Sequence, residues 1–97
     1  MNIQTENPEE FYKKFKERLD DTTSFPSYYT YKFIVPTTLK TLAEIQKVFD
    51  GANPQFKMKE SKNGKYTSVT TVIYVIDSEQ VIHYYLEAAK IEGIISL

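Results

Sequence analysis

His83 is the only histidine in the chain, and an imidazole is the side chain best suited to relaying protons near neutral pH. Glu79 and Glu87 stand four residues to either side, so one helix would put all three groups on the same side. A proton relay also needs a serine, a cysteine or a second histidine in a motif around the imidazole, and the sequence has none there. We therefore interpret His83 as a solvated surface residue.

Thiol and metal chemistry have even less support. The 97 residues include no cysteine, which excludes a disulfide framework, a thiolate metal site and a cysteine nucleophile. Asp77 and Glu79 stand where a helix should begin, and we interpret them as helix-start residues rather than as metal ligands. The sequence therefore predicts no catalytic residue, no metal site and no cofactor, and we expect the protein not to be an enzyme.

Lysines are concentrated in the sequence around the Asn63-Gly64 pair. Segment 57–65 has Glu60 as its one acidic residue and four lysines, which are Lys57, Lys59, Lys62 and Lys65. One interpretation is binding of an anion, a phosphate or an acidic partner. The other is protection of an edge strand, since lysine there blocks edge-to-edge aggregation. The whole chain has 12 basic and 13 acidic residues, a balance that does not favour a dedicated nucleic-acid binder.

The first element that could position these groups is an N-terminal helix. Its start is marked by three residues with capping chemistry, Asn7, Pro8 and Glu10. Its apolar stripe repeats every four residues through Phe11, Phe15 and Leu19. The helix should end near 20–23, and a linker follows through residue 27.

Four segments have the composition of strands, at 28–35, 55–61, 65–76 and 94–97. Period-two alternation in the first predicts a core face of Tyr29, Tyr31, Phe33 and Val35. In the third, the same alternation predicts a core face of Val69, Thr71, Ile73 and Val75. Asn63-Gly64 predicts a two-residue type I′ hairpin, in which both central residues need a positive φ.

Two further helices lie between these strands. Thr37 or Thr38 should cap the first of them and Ser78 the second, while Gly51 and Gly93 should end them. The predicted apolar face of the first is Leu39, Leu42, Ile45, Val48 and Phe49. That of the second is Val81, Ile82, Tyr85, Leu86 and Ala89.

The resulting order of elements constrains the topology. After the N-terminal helix it is βαββαβ, and right-handed crossovers with a β-hairpin between them give the split βαβ arrangement. We predict an α+β, ferredoxin-like sandwich over residues 28–97, with a four-stranded antiparallel sheet and both crossover helices on one face. Residues 1–27 form the additional helix and linker.

Such a sheet has one face that the crossover helices leave open. The predicted interaction surface combines this face with the hairpin and consists of Thr30, Lys32, Ile34, Lys62, Asn63, Gly64, Lys65, Tyr66, Ser68, Thr70 and Tyr74. RNA-recognition domains use the same face, but the third strand lacks their Gly-Phe-x-Phe-type pattern. The alternatives are that the N-terminal helix or a second subunit covers this face. The helix is a candidate because its apolar stripe of Phe11, Phe15 and Leu19 needs an apolar partner.

Three segments carry a family resemblance. Residues 31–35, the hairpin run Ser61-Lys62-Asn63-Gly64-Lys65-Tyr66-Thr67-Ser68-Val69-Thr70, and the closing residues 93–97 together resemble the YbeD-like family of small bacterial proteins of unknown function. The resemblance covers about residues 28–97. It implies a ferredoxin-like fold similar in shape to ACT-type regulatory domains, which bind small molecules or pair subunits. It implies no activity and no catalytic residues.

The first functional hypothesis is a non-enzymatic regulatory or protein-interaction module, acting through the open sheet face or by forming a homodimer. The alternatives are ACT-like sensing of a small molecule and weak binding of RNA or an anion through the lysine-bearing hairpin. Residues 1–6 have neither the basic nor the apolar region of a signal peptide, and no apolar run reaches the ~20 residues that span a bilayer. We expect a cytoplasmic protein that makes no membrane contact. The sequence does not identify the partner.

Overall fold

The computed structural model describes residues 7–97, so the prediction that residues 1–6 carry no signal peptide lies outside the described part. The elements in chain order are α1 (Pro8–Thr22), β1 (Ser27–Pro36), α2 (Leu39–Val48), β2 (Gln55–Glu60), β3 (Tyr66–Val75), α3 (Ser78–Ala88) and β4 (Ile95–Ser96). Asn7 caps α1 as predicted, because its side-chain oxygen accepts the Glu10 N–H at 2.8 Å. After α1, the order is βαββαβ.

The strands form one sheet in the order β2-β3-β1-β4, and every neighbouring pair is antiparallel. This order confirms the predicted ferredoxin-like architecture. The central pair is the longest, since β1 and β3 match over ten residues from Ser27↔Val75 to Pro36↔Tyr66. The β4 strand is only two residues long and pairs with Phe33 and Ile34.

The core lies between this sheet and the helices. The alternate residues predicted to face inward in the two central strands are buried, apart from the half-buried Tyr29. Tyr31 is the largest fully buried side chain. Its ring centroid lies 5.2 Å from that of Phe49 and 4.7 Å from that of Tyr85, and its hydroxyl donates to the Val81 carbonyl oxygen at 2.9 Å. A single aromatic residue thus joins β1 to both crossover helices.

The N-terminal helix α1 packs on α3 and not on the open face of the sheet. The Phe15 and Tyr85 rings meet edge to face at 5.6 Å, and Leu19 is 6% exposed within the common core. The alternative that α1 covers the open face is therefore wrong. The physical reason is that the flank of α3 offers an aromatic surface to the α1 stripe, whereas the open face carries lysines.

The predicted apolar face of α2 needs one correction. Leu39 is 90% exposed at the first position of the helix, directly after the N-cap Thr38. Thr41 is buried in the same turn. Its hydroxyl donates to the Pro36 carbonyl oxygen, and with Thr38 it forms a reciprocal capping box.

The predicted start and apolar face of α3 also differ from the structure. Asp77 is the N-cap, accepting the Gln80 N–H at 2.8 Å, and Ser78 is the first helical residue and is buried. Leu86 is 45% exposed and Ala89 is exposed, whereas Ala88 is buried. The side chain at position 88, and not that at position 89, therefore faces the core.

The hairpin is not the predicted type I′ turn. Gly64 has a φ of 71°, but Asn63 lies outside the left-handed region. The Ser61 N–H donates to the Tyr66 carbonyl oxygen at 2.7 Å and closes a loop over residues 62–65. The Asn63 side chain explains the difference, because its oxygen accepts the Lys65 N–H at 3.0 Å and replaces the backbone bonding of a tighter turn.

Gly93→Ala is expected to lower the free energy of unfolding by about 2–3 kcal/mol. The φ of Gly93 is +81°, and a Cβ added there would lie 2.8 Å from Cγ of Pro36 at the end of β1. Gly51→Ala is the matched control, because its φ is +85° but an added Cβ would meet nothing within 4 Å. Urea denaturation of both variants measures the steric part of the cost, and equal losses would contradict it.

Candidate interaction surface

The open face of the sheet is built by the outward residues of β1 and β3. Pairing puts Thr30 opposite Val72, Lys32 opposite Thr70, and Ile34 opposite Ser68. These side chains lie on the side away from the helices, because their neighbours along each strand are the buried core residues. The structure thus places the strand residues of the predicted surface on one continuous face.

The edge strand β2 extends this face with two more lysines. Lys57 is opposite Thr70 and Lys59 is opposite Ser68. Lys57 and Lys32 therefore flank Thr70 in one row across three strands. Lys57 and Lys59 were predicted to belong to the lysine cluster around the hairpin and not to this surface. Their period-two spacing in 55–60 could have indicated that they belong to this face, because they alternate with the half-buried Phe56 and Met58.

The charge on this face has one sign. Three lysines project from it, Lys32, Lys57 and Lys59. Among the residues of the four described strands, the only acidic one is Glu60. Its cross-strand partner Thr67 is buried on the helical side of the sheet. No carboxylate on the described strands therefore neutralises the lysines, and the face carries three positive charges although the chain has a net charge of −1.

Tyrosines mark the two ends of the face. Tyr28 and Tyr74 are directly opposite each other, their rings meet edge to face at 5.2 Å, and they are 72% and 53% exposed. Tyr66, at the other end beside Pro36, is 48% exposed. Exposed tyrosines offer an apolar ring and a hydroxyl to a partner, which is why tyrosine is enriched at protein interfaces.

The hairpin residues lie beyond the strands, at one end of the surface. Lys62 and Lys65 are exposed in the loop. The Ser61 hydroxyl donates to the Asn63 side-chain oxygen at 2.9 Å and accepts the Tyr66 N–H at 3.1 Å. These bonds order the loop backbone and leave both lysine side chains to solvent.

His83 lies on α3, on the helical side of the molecule and away from this face. It is exposed, and its ring centroid is 5.5 Å from that of Tyr84. Glu87 is paired with Lys90 at 2.8 Å, and the hydrogen bond from that ammonium lowers the pKa of the Glu87 carboxyl. Within residues 7–97, no group of three metal-ligating side chains converges.

The family described as "Protein of unknown function (DUF493)" matches residues 20–97, which contain every strand, the hairpin and both crossover helices. The chain belongs to the DUF493 family. Comparison with curated proteins and with solved structures gave no match. The DUF493 match includes only the last residues of α1, so most of this helix lies outside the family region. None of the helices in the described range is long and apolar enough to cross a membrane.

Proposed function

We propose that this DUF493 chain is a non-catalytic regulatory domain that binds a protein partner on the open face of its sheet. The observation that carries the proposal is the face itself, with three lysines, paired tyrosines at one end and no opposing carboxylate among the described strands. A face of this kind has the aromatic side chains and the charges of a single sign that are typical of protein–protein recognition.

The charge on the face indicates the kind of partner. Lysines at the centre of a buried interface need carboxylates opposite them, since an unpaired buried charge is costly. An acidic protein surface supplies these groups. In a symmetric homodimer through the same face, Lys32 and Lys57 of one copy would meet the lysines of the other, and like charges in contact disfavour that pairing. The proposal therefore favours a different protein over a second copy.

The resemblance to the YbeD-like family and to ACT-type regulatory domains supports the regulatory part of the proposal by analogy of fold. ACT-type domains also bind small molecules, and this alternative has its own readout. A small molecule that binds only the native state raises the melting temperature, so a thermal-shift screen of amino acids and metabolites distinguishes it from a protein partner.

Site-specific photo-crosslinking in the native cell tests the proposal. A photoreactive phenylalanine analogue replaces Tyr74 on the open face or, as the matched control, Leu86 on the helical side, both of which are exposed. We expect a discrete protein adduct from position 74 and none from position 86. Lys32→Glu combined with Lys57→Glu should reduce the yield of this adduct at least tenfold, because two attractive charges become repulsive.

Three results would count against this function. They are equal adducts from both positions, an adduct containing only two copies of this chain, and an adduct that survives the charge reversal unchanged. Crosslinking to RNA in place of protein would assign the face to the nucleic-acid alternative, and affinity should then fall steeply with salt.

A further inference from the structure

The β1 side of the sheet has an incomplete edge. The short β4 strand covers Phe33 and Ile34, and the Leu97 N–H donates to the Lys32 carbonyl oxygen at 2.9 Å. Among residues 7–97, nothing else pairs with β1 from this side. The stretch 27–31 is therefore hydrogen-bonded to β3 on one side and, among the described residues, has no strand on the other.

The bond at Lys32 shows which backbone groups face the open side. In an antiparallel strand, the N–H and C=O of one residue point to the same side and alternate along the chain. Since the Lys32 carbonyl points toward β4, the backbone groups of Thr30 and Tyr28 point toward the uncovered edge. Unpaired strand groups of this kind are a template for a further strand.

An apolar groove lies next to this edge. It has a volume of about 220 Å³ and is lined mainly by Phe11 and Phe15 of α1, Tyr85 of α3 and the end of the chain at Leu97. Tyr85 connects it to β1, because the Tyr85 and Tyr29 hydroxyls are 3.0 Å apart and the Tyr85 and Tyr31 rings 4.7 Å apart. The groove is therefore on the helical side of the uncovered edge.

We propose that an extended segment of a partner protein adds to the sheet along residues 27–31, antiparallel to β1 and in the register that β4 begins. Its backbone pairs with Thr30 and Tyr28. Its residues opposite Tyr29 and Tyr31 are apolar, because those positions lie on the helical side of the sheet, where both tyrosines contact Tyr85 of the groove. The partner residue between these two is opposite Thr30 and lies on the open face beside Lys32.

The charge of Lys32 predicts the chemistry of the partner residue opposite Thr30. Lys32 is exposed and forms no ion pair with any side chain in the described part of the chain. A carboxylate on the incoming strand would be its diagonal neighbour, within reach of the lysine side chain. The segment is therefore expected to alternate apolar and acidic residues. A second copy fits less well, because its β2 edge would bring Lys57 and Lys59 beside Lys32.

Nuclear magnetic resonance of the ¹⁵N-labelled 97-residue chain tests the proposal with a capped peptide of alternating valine and glutamate as the probe. We expect saturable shifts that are largest at the Tyr28 and Thr30 amides. N-methylation of the peptide nitrogens that face β1 leaves every side chain in place and should weaken binding roughly tenfold or more, since it removes the backbone donors.

Two further variants separate the groove from the charge. Phe11→Ala, at a half-buried position, should weaken binding of the valine–glutamate peptide severalfold. Lys32→Glu, at an exposed position, should reverse the preference in favour of a valine–lysine peptide. The proposal is overturned by the absence of saturable shifts at millimolar peptide, by equal binding of the N-methylated peptide, or by shifts centred on Phe56 and Met58 of β2. A concentration-dependent dimer that protects Tyr28 and Thr30 without peptide also contradicts it.

Discussion

Tyr31→Ala is expected to lower the free energy of unfolding by about 4 kcal/mol, the cost typical of removing a large buried aromatic side chain. Tyr31 is fully buried and packs on rings from both crossover helices. The cavity left by the ring cannot be filled, because its neighbours are held by a ten-residue strand pair and two helices. The expected loss is a large fraction of the stability of a domain of this size.

Tyr31→Phe is the matched control for this prediction. It keeps the ring and removes only the hydroxyl that donates to the Val81 carbonyl oxygen, so the expected cost is about 1 kcal/mol. Urea denaturation gives both values, provided that the dependence of the free energy on urea is unchanged. Similar losses in the two variants would show that the hydrogen bond, and not the packing of the ring, is what matters.

Raising the pH from 10 to 12 is expected to lower the free energy of unfolding through two tyrosines, by less than about 1.4 kcal/mol per pH unit for each group, because Tyr85 is only half-buried. Burial raises the pKa of Tyr31 well above its ordinary value of 10.0. Burial, followed by the hydrogen bond with Tyr29, raises the pKa of Tyr85 in the same direction. The unfolded chain releases these protons above pH 10 and the native state keeps them, so stability is complete below that pH and is lost above it.

The urea midpoint measured between pH 8 and pH 12 tests this prediction. Tyr85→Phe should reduce the tyrosine-dependent slope, because one of the two phenols no longer titrates. Tyr28→Phe is the control, because it removes a hydroxyl from a side chain that is 72% exposed and lies outside the core. If the two variants show the same slope as the unmodified protein, the phenols of Tyr31 and Tyr85 are not the cause of alkaline unfolding.

Much of the fold could be predicted because local signals agree with the tertiary structure. Asn7 caps α1, alternation in β1 and β3 separates the core from the open face, and the element order leaves one standard topology. The errors occur where tertiary contacts decide between locally acceptable choices. Leu39 is apolar but exposed in the same turn in which Thr41 is buried, and Asn63 uses its side chain where a left-handed backbone was predicted.

The candidate surface was predictable only in part. Periodicity identifies Thr30, Lys32 and Thr70 as neighbours once the strand order is known. It does not show that α1 stays on the helical side, because the apolar stripe of Phe11, Phe15 and Leu19 would fit any apolar surface. Nor does it show which residues of β1 pair with β4, because only the structure gives that register. The uncovered edge and its groove therefore could not be found from sequence patterns.

The brevity of β4 also has a consequence for local unfolding. A strand that pairs with only Phe33 and Ile34 can detach without disturbing the ten-residue pairing of β1 with β3, so its opening requires far less free energy than unfolding of the whole domain. Native-state exchange should therefore replace the Leu97 amide hydrogen long before those of the β1–β3 ladder. Each such opening would lengthen the free edge of β1 toward Pro36, so the protein would present a short edge most of the time and a longer one briefly.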